Sequence, residues 1–104
     1  MNTYFYFKKI NKTNGEKLKD YFEKEKTPRL TKLLQHGNFE LAEFKLRAEY
    51  FLHHNAFQVE VELNIGKHKL VSQEKSHNLL KALDLAIDRQ IAQLRKLESI
   101  KHNK

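Results

Sequence analysis

The chain has 104 residues, enough for one domain with a single two-layer core. It has no cysteine, which excludes disulfide bonds and thiolate metal sites, and no apolar run of 18 residues that could span a membrane. Its net charge of +7 is unevenly distributed: residues 1–38 hold nine basic and four acidic side chains, residues 39–77 hold five and six, and residues 78–104 hold six and three. A positive charge concentrated at both ends favours a polyanionic partner, nucleic acid or anionic membrane, over charge kept for solubility.

The N-terminal third is predicted to form a strand and then a helical region. Residues 3–10 (TYFYFKKI) are aromatic and β-prone, and Thr13 or Asn14 in the following turn can cap a helix. Thr27-Pro28 then predicts a kink or two short helices, with Thr27 as the cap and Pro28 in the first position of the second. Two apolar helix faces are predicted, formed by Leu18, Tyr21 and Phe22 and by Leu30, Leu33 and Leu34.

After Gly37, which is predicted to end the helical region, the sequence switches to the period of two that is typical of strands. Residues 44–52 and 57–65 alternate apolar with polar side chains, and His53–Ala56 is predicted to join them as a hairpin loop. A turn at Gly66 leads to a fourth strand. One apolar and one polar face on each strand predict a sheet that is covered on one side only. The predicted core-facing residues are Phe44, Leu46, Ala48, Tyr50 and Leu52, then Phe57, Val59, Val61, Leu63 and Ile65.

The C-terminal part is predicted to be one long amphipathic helix, capped by Ser76 or Asn78. Its apolar residues recur every three or four positions and can pack on a core, while basic residues lie on the opposite side. The apolar side is formed by Leu80, Leu83, Ile87, Ile91 and Leu94, and the basic side by Lys81, Arg89 and Lys96, with Arg95 on its flank.

The element order is therefore β-α-β-β-β-α. We predict an α+β fold, a single two-layer domain over residues 1–104 with a four-stranded mixed sheet and two helices on one face. The first helix is predicted to return the chain to a strand parallel to the first one, through a right-handed crossover.

The last helix also resembles that of a known family, the ribosome hibernation promoting factors, which include ribosome-associated inhibitor and sigma-54 modulation protein. The resemblance lies in residues 82–89 (ALDLAIDR) and 93–96 (QLRK), in the strand Val59–Leu63, and in the spacing of Leu18 and Tyr21. The resemblance implies a short form, a single ribosome-binding domain without a C-terminal dimerisation domain. It further implies binding in the mRNA and tRNA groove of the small ribosomal subunit, and inhibition of translation in stress or stationary phase.

Basic side chains at both ends of the chain are the candidate contacts to ribosomal RNA phosphates, because Lys and Arg supply affinity with little sequence readout. Tyr4 and Tyr6 could stack on bases if they face outward, but packing against a neighbouring strand is favoured. The candidates are Lys24, Lys26, Arg29 and Lys32 in the first helical region and Lys81, Arg89, Arg95 and Lys96 in the last helix, with Lys8, Lys9, Lys17 and Lys19 as weaker ones.

Catalytic and metal chemistry is not indicated. Asp84 and Asp88 are four residues apart on a helix with basic neighbours, which favours surface ion pairs over a metal site or an acid–base pair. Adjacent His53 and His54 point to opposite faces if extended, so they are not expected to bind one metal. The chain has no glycine-rich phosphate loop, nucleophile elbow or zinc motif. We expect no enzymatic activity and no cofactor.

Two other functions stay open from the sequence. One is a general structured or double-stranded RNA-binding module that is not specific to the ribosome, and the other is a protein-interaction domain whose basic face meets an acidic partner. In each case we expect a cytoplasmic protein that is a monomer when free.

Overall fold

The strands and helices follow the predicted order in a computed structural model, which describes residues 2–34 and 41–102, with side chains as far as residue 97. The predicted helix end at Gly37 lies outside the described residues. In the described part, no helix is long and apolar enough to cross a membrane. The elements are β1 (Asn2–Lys8), α1 (Lys12–Tyr21), a π-helical turn (Phe22–Lys26), α2 (Thr27–Leu33), β2 (Glu43–Phe51), a 3-10 turn (Leu52–His54), β3 (Ala56–Ile65), β4 (His68–Ser76) and α3 (Leu79–His102).

The four strands form one mixed sheet in the order β1-β2-β3-β4. The outer pair β1 and β2 is parallel, whereas β2 with β3 and β3 with β4 are antiparallel, which confirms the predicted sheet. The register is continuous in all three ladders. It starts at the pair Asn2↔Glu43 between β1 and β2, at Glu43↔Asn64 between β2 and β3, and at Phe57↔Ser76 between β3 and β4.

The core lies between the sheet and the helices, as the alternation in β2 and β3 predicts. Phe44 and Leu46 of β2 and Val61 of β3 are fully buried, and burial of each such side chain stabilises the fold by about 1.5–3 kcal/mol. The prediction that Leu52 faces the core is wrong. β2 ends one residue earlier, so Leu52 begins the 3-10 turn and its side chain is 71% exposed.

The predicted break at Thr27-Pro28 takes the form of a wider helical turn rather than a gap. The Thr27 amide donates to the Phe22 carbonyl, five residues back, which closes the π-helical turn. Thr27 has helical dihedral angles, φ −58° and ψ −43°, so it is the first residue of α2 and Pro28 is the second. The predicted cap at Thr27 is therefore wrong. Pro28 has no amide hydrogen to donate, and a position in the first turn of α2 requires none.

Asparagine side chains cap the two long helices. At α1, the Asn11 side-chain oxygen accepts from the Asn14 amide at 2.7 Å, so Asn11 is the cap and not Thr13 or Asn14 itself. At α3, the Asn78 oxygen accepts from the Lys81 amide at 3.0 Å, which confirms one of the two predicted caps.

Candidate nucleic-acid interface

The eight main candidates all lie in one layer, which consists of α1, the π-helical turn, α2 and α3 and is called the helical layer below, whereas the weaker candidates Lys8 and Lys9 lie at the end of β1. Side chains of α3 join the two halves of the helical layer. Asp84 contacts Tyr21 and Lys26, and Asp88 contacts Arg29. The two basic segments that are far apart in sequence therefore form neighbouring parts of one surface.

Lys26 is the one candidate that points into the protein. It is only 6% exposed, its Nζ lies 2.7 Å from Asp84 Oδ1, and it stands 5.3 Å from the centroid of the Tyr21 ring. An ammonium group held in this way cannot reach a phosphate without breaking a buried ion pair. We therefore leave Lys26 out of the proposed interface.

Asp84 is the centre of this buried contact. The Tyr21 hydroxyl donates to Asp84 Oδ1 at 2.6 Å, and this bond, together with burial and the Asp84 charge, raises the pKa of Tyr21 to about 12. Burial alone would raise the pKa of Asp84. The hydrogen bonds from Lys26 and Tyr21 outweigh burial, so the pKa of Asp84 is lowered and the carboxylate stays charged.

Two further candidates are exposed but already paired. Arg29 Nη1 lies 3.2 Å from Asp88 Oδ1, and Arg89 Nη1 lies 3.1 Å from Glu74 Oε1. Exposed pairs of this kind contribute little stability, so either guanidinium can exchange its carboxylate for a phosphate at small cost. Asp88 forms a surface ion pair as predicted, but with Arg29 of α2 rather than with a basic neighbour on its own helix, and the pairing of Asp84 with Lys26 is more buried than predicted.

The remaining five candidates are exposed and form no ion pair with any described residue. On α3 they divide between two flanks. Lys96 lines a cleft beside Lys69 and Gln93, next to β4. Arg95 lies seven residues after Asp88, two helical turns, and so on the flank toward α2. The five are Lys24, Lys32, Lys81, Arg95 and Lys96.

The uncovered face of the sheet, called the open face below, also carries basic residues, and three of them surround one buried carboxylate. The buried Glu62 carboxylate lies within 4.0 Å of three cations and accepts from Asn64 at 2.8 Å. The Asn64 bond is the largest cause that lowers the pKa of Glu62; burial opposes it, and Lys69 and Arg47 lower the pKa further. The three cations are Lys45, Arg47 and Lys69.

Tyr4 and Tyr6 lie on the open face and are 41% and 50% exposed, so they face outward even though Tyr6 also packs against the neighbouring strand β2. The guanidinium of Arg47 lies 5.7 Å from the Tyr6 ring. Because this face is opposite the helical layer, one flat partner cannot contact both tyrosines and the exposed lysines of α3.

The sequence carried an overlooked signal for the burial of Lys26. Positions 18, 22, 26, 30 and 34 are spaced four residues apart, and all five side chains are buried. In a regular α-helix of 3.6 residues per turn such a stripe would drift around the axis, and the wider π-helical turn corrects the drift. Lys26 therefore occupies a core position between Phe22 and Leu30. Its charge is paired with Asp84 on the neighbouring helix α3.

Within the described residues, no three acidic or histidine side chains gather where they could hold a metal ion. His53 and His54 both lie in the exposed 3-10 turn. The interface therefore offers cationic and hydrogen-bonding groups, the chemistry that binds phosphates.

Comparison with known proteins agrees with the resemblance seen in the sequence. Residues 6–101 match the family described as sigma 54 modulation protein / S30EA ribosomal protein. Both names describe a modulator or a ribosomal protein rather than an enzyme. A search of curated proteins found no match.

Two solved structures share the fold. The N-terminal domain of Thermus thermophilus Protein Y aligns with a TM-score of 0.68 and 20% identity over 93% of this chain and 99% of that one. A ribosomal subunit interface protein from Coxiella burnetii aligns with a TM-score of 0.62 and 13% identity over 92% and 98%.

Proposed function

Because this chain belongs to the sigma 54 modulation protein / S30EA ribosomal protein family, we propose that it is a ribosome hibernation factor. It binds the small ribosomal subunit in the groove that mRNA and tRNA occupy, in the cytoplasm, and inhibits translation in stress or stationary phase. The similar Coxiella burnetii protein is described as a ribosomal subunit interface protein, which is in keeping with this role.

The observation that carries the proposal is the contrast in charge between the two faces. The five exposed candidates on the helical layer form no ion pair with a described residue, whereas the lysines and arginine around Glu62 on the open face are held by carboxylates. Ribosomal RNA presents closely spaced phosphates, and each lysine or arginine that contacts one releases condensed counterions. We therefore propose that the helical layer faces the RNA and that the open face is turned away.

The inhibition requires no chemistry at the protein. Occupancy of the groove excludes mRNA and tRNA by volume, and the sheet supports the helices from behind so that the basic side chains keep fixed spacing. Because the affinity is largely electrostatic, the logarithm of the binding constant should fall linearly with the logarithm of salt concentration.

The test is co-sedimentation with purified small subunits. We expect Lys81→Glu with Lys96→Glu to lower the affinity by at least about tenfold, because two phosphate contacts become repulsive. Lys67→Glu with Lys75→Glu is the matched control. It makes the same change in net charge at the exposed turn and on the open face, and should retain nearly full affinity.

Equal losses in the two double variants would show that only net charge matters and would contradict the proposed orientation. Unchanged binding of the Lys81 and Lys96 variant would remove α3 from the interface. Sedimentation of a stationary-phase lysate through a sucrose gradient then asks where the native protein resides, and the proposal requires it in the ribosomal fractions.

The alternative is a general binder of structured RNA. A sheet that supports two helices with exposed lysines also suits the shape-based recognition of A-form duplexes. Binding to intact small subunits and to a plain RNA duplex separates the two functions. A clear preference for the subunit supports hibernation, whereas equal affinities support the general module.

A further inference from the structure

The two edge strands of the sheet differ in whether their outward backbone groups are already hydrogen-bonded. β4 is one edge strand, and among its backbone carbonyls those of Val71 and Gln73 accept hydrogen bonds from α3. Gln93 Nε2 donates to the Val71 carbonyl at 3.0 Å, and Arg89 Nη1 donates to the Gln73 carbonyl at 3.4 Å. Side chains of the protein thus occupy positions that another strand would need, which is one way natural sheets protect an edge.

The other edge, β1, has no such protection from the described residues. The Asn2 amide donates to the Ala42 carbonyl at 3.1 Å, so the backbone of Asn2 faces β2. Because peptide groups in a strand alternate in direction, those of Thr3, Phe5 and Phe7 point away from β2. No described group makes a hydrogen bond to these outward peptide groups.

The composition of β1 also lacks the usual protection of an edge strand. The strand NTYFYFK has no proline and no bulge in its ladder, and its one charged residue is Lys8 at the end. A regular, aromatic, nearly uncharged edge is a ready partner for another strand.

We propose that this edge pairs with β1 of a second copy of the chain. The two strands would run antiparallel about a two-fold axis at Phe5, so that Thr3 lies opposite Phe7 of the other copy. The outward peptide groups of the two copies then face one another and can exchange six hydrogen bonds, two in each of three pairs. Such an interface is self-complementary, as a two-fold axis requires.

The side chains of β1 fit the same register. Tyr4 lies opposite Tyr6 of the other copy on the open face, where the two tyrosines are 41% and 50% exposed, and aromatic pairs across strands are stabilising. Asn2 lies opposite Lys8, so no two like charges are opposed in the ladder. The assembly also closes at two copies, because its outer edges are the two protected β4 strands.

The association should be weak. An edge of seven residues is a small interface, and small interfaces are typical of transient complexes in the micromolar range. Lys19 also opposes it, since its Nζ lies 5.4 Å from the Phe5 ring and the two-fold axis brings two ammonium groups near each other.

Sedimentation velocity over about 1 to 200 µM protein is the first test, because micromolar affinities are resolved in that range. We expect a shift from monomer to dimer and no larger species. Thr3→Pro should weaken the dimer by at least about tenfold, since it removes an outward amide and obstructs the partner strand, yet proline is tolerated where that amide faces solvent. Thr3→Val keeps the amide and is the matched control.

A cross-linking experiment tests the register independently, because the natural chain has no cysteine. Tyr4→Cys and Tyr6→Cys variants, mixed and oxidised, should form a heterodimeric disulfide much faster than either variant forms a homodimer. Thermal unfolding establishes that each variant is folded.

A monomer at every concentration would overturn the proposal and agree with the expectation from the sequence. Equal association of folded Thr3→Pro and wild-type protein would also overturn it, as would cross-linking without preference for the mixed pair. The inference is independent of ribosome binding, since Thr3→Pro leaves the helical layer unchanged and should co-sediment with small subunits like the wild type.

Discussion

The helical layer and the open face each bury one charged side chain to the same extent, but they compensate the charge differently. Lys26 and Glu62 are both 8% exposed at the side chain. Lys26 has a single carboxylate partner, Asp84, which also binds Tyr21. Glu62 has three cationic neighbours and an amide donor.

The difference teaches where each layer is vulnerable. A buried ammonium group with one carboxylate partner is left without any opposite charge when that partner is removed. A buried carboxylate with several donors keeps most of its ion pairs and hydrogen bonds when one donor is removed. The contrast also bears on function. The cations around Glu62 are occupied in stabilising the sheet, whereas Lys24, Lys32 and Lys81 of the helical layer are exposed and form no ion pair with a described residue.

The largest effect should come from Asp84→Ala. This change leaves the Lys26 ammonium buried without a carboxylate, and we expect the free energy of unfolding to fall by about 2 kcal/mol. The value is below that of fully buried pairs because the Asp84 side chain is 38% exposed and water can partly replace it. Urea unfolding at pH 7 measures the loss.

Asp88→Ala is the matched control, since it removes a carboxylate from the same face of α3 one turn later. Its partner Arg29 is 46% exposed at the side chain and can be hydrated, so the loss should stay below about 0.5 kcal/mol. Equal losses in the two variants would contradict the distinction between buried and exposed pairs.

A smaller effect is expected from Glu62→Gln on the open face. The variant keeps the shape of the side chain but removes the charge that three cations share. Those cations can turn toward water, and Arg47 keeps its 2.8 Å contact to Glu60, so the unfolding free energy should fall by about 1 kcal/mol. A loss greater than that of Asp84→Ala would reverse the comparison.

The sequence predicted the fold well because burial in this protein follows simple periods. Alternation in residues 57–65 and the three-to-four spacing of α3 depend only on which face meets the core. The sequence predicted an interruption of the helix near Pro28, but it did not predict that the interruption would be a π-helical turn. The π-helical turn places Lys26 opposite Asp84 of α3, a contact that the local sequence around Pro28 does not report.

The candidate site was predicted less completely. Charge identified the helical layer, yet charge alone does not distinguish Lys26 from Lys24, since one lies at a core position and the other is exposed. The pairing of Lys26 with Asp84 joins residues 58 positions apart in the chain, and no local pattern reports it. The exposure of Tyr4 and Tyr6 was missed for the related reason that the sequence does not say which face of β1 the helices cover.

The next smaller effect is the loss of folding stability at low pH. Asp84 and Glu62 both have a pKa lowered in the folded protein, so the stability they contribute is present above their unfolded values and is lost as pH falls through the folded ones. The unfolded values lie near pH 4, so the loss should develop below that pH. The stability difference between wild type and Glu62→Gln, measured in urea, should therefore be smaller at pH 3 than at pH 7.

The unfolding free energy of Asp84→Asn should likewise approach that of the wild type as the pH falls, because Asp84, like Glu62, loses its charge in acid. A difference that stayed constant from pH 7 to pH 3 would show that the charge of the carboxylate is not what stabilises the site. The comparison between the layers would then rest on shape and hydrogen bonding alone.

The smallest effect should be that of Lys26→Met, which removes the buried charge and keeps the volume. Methionine fills the core position between Phe22 and Leu30 and packs on the Tyr21 ring, while Asp84 keeps the tyrosine hydrogen bond and its contact with water. Because the Asp84 side chain is 38% exposed, the carboxylate left behind can be hydrated, so we expect a change within about 0.5 kcal/mol. The same variant should bind small subunits like the wild type, because Lys26 does not reach the surface, whereas Lys24→Met should bind more weakly. Loss of binding in Lys26→Met with unchanged stability would mean that the buried ammonium group leaves Asp84 for the RNA.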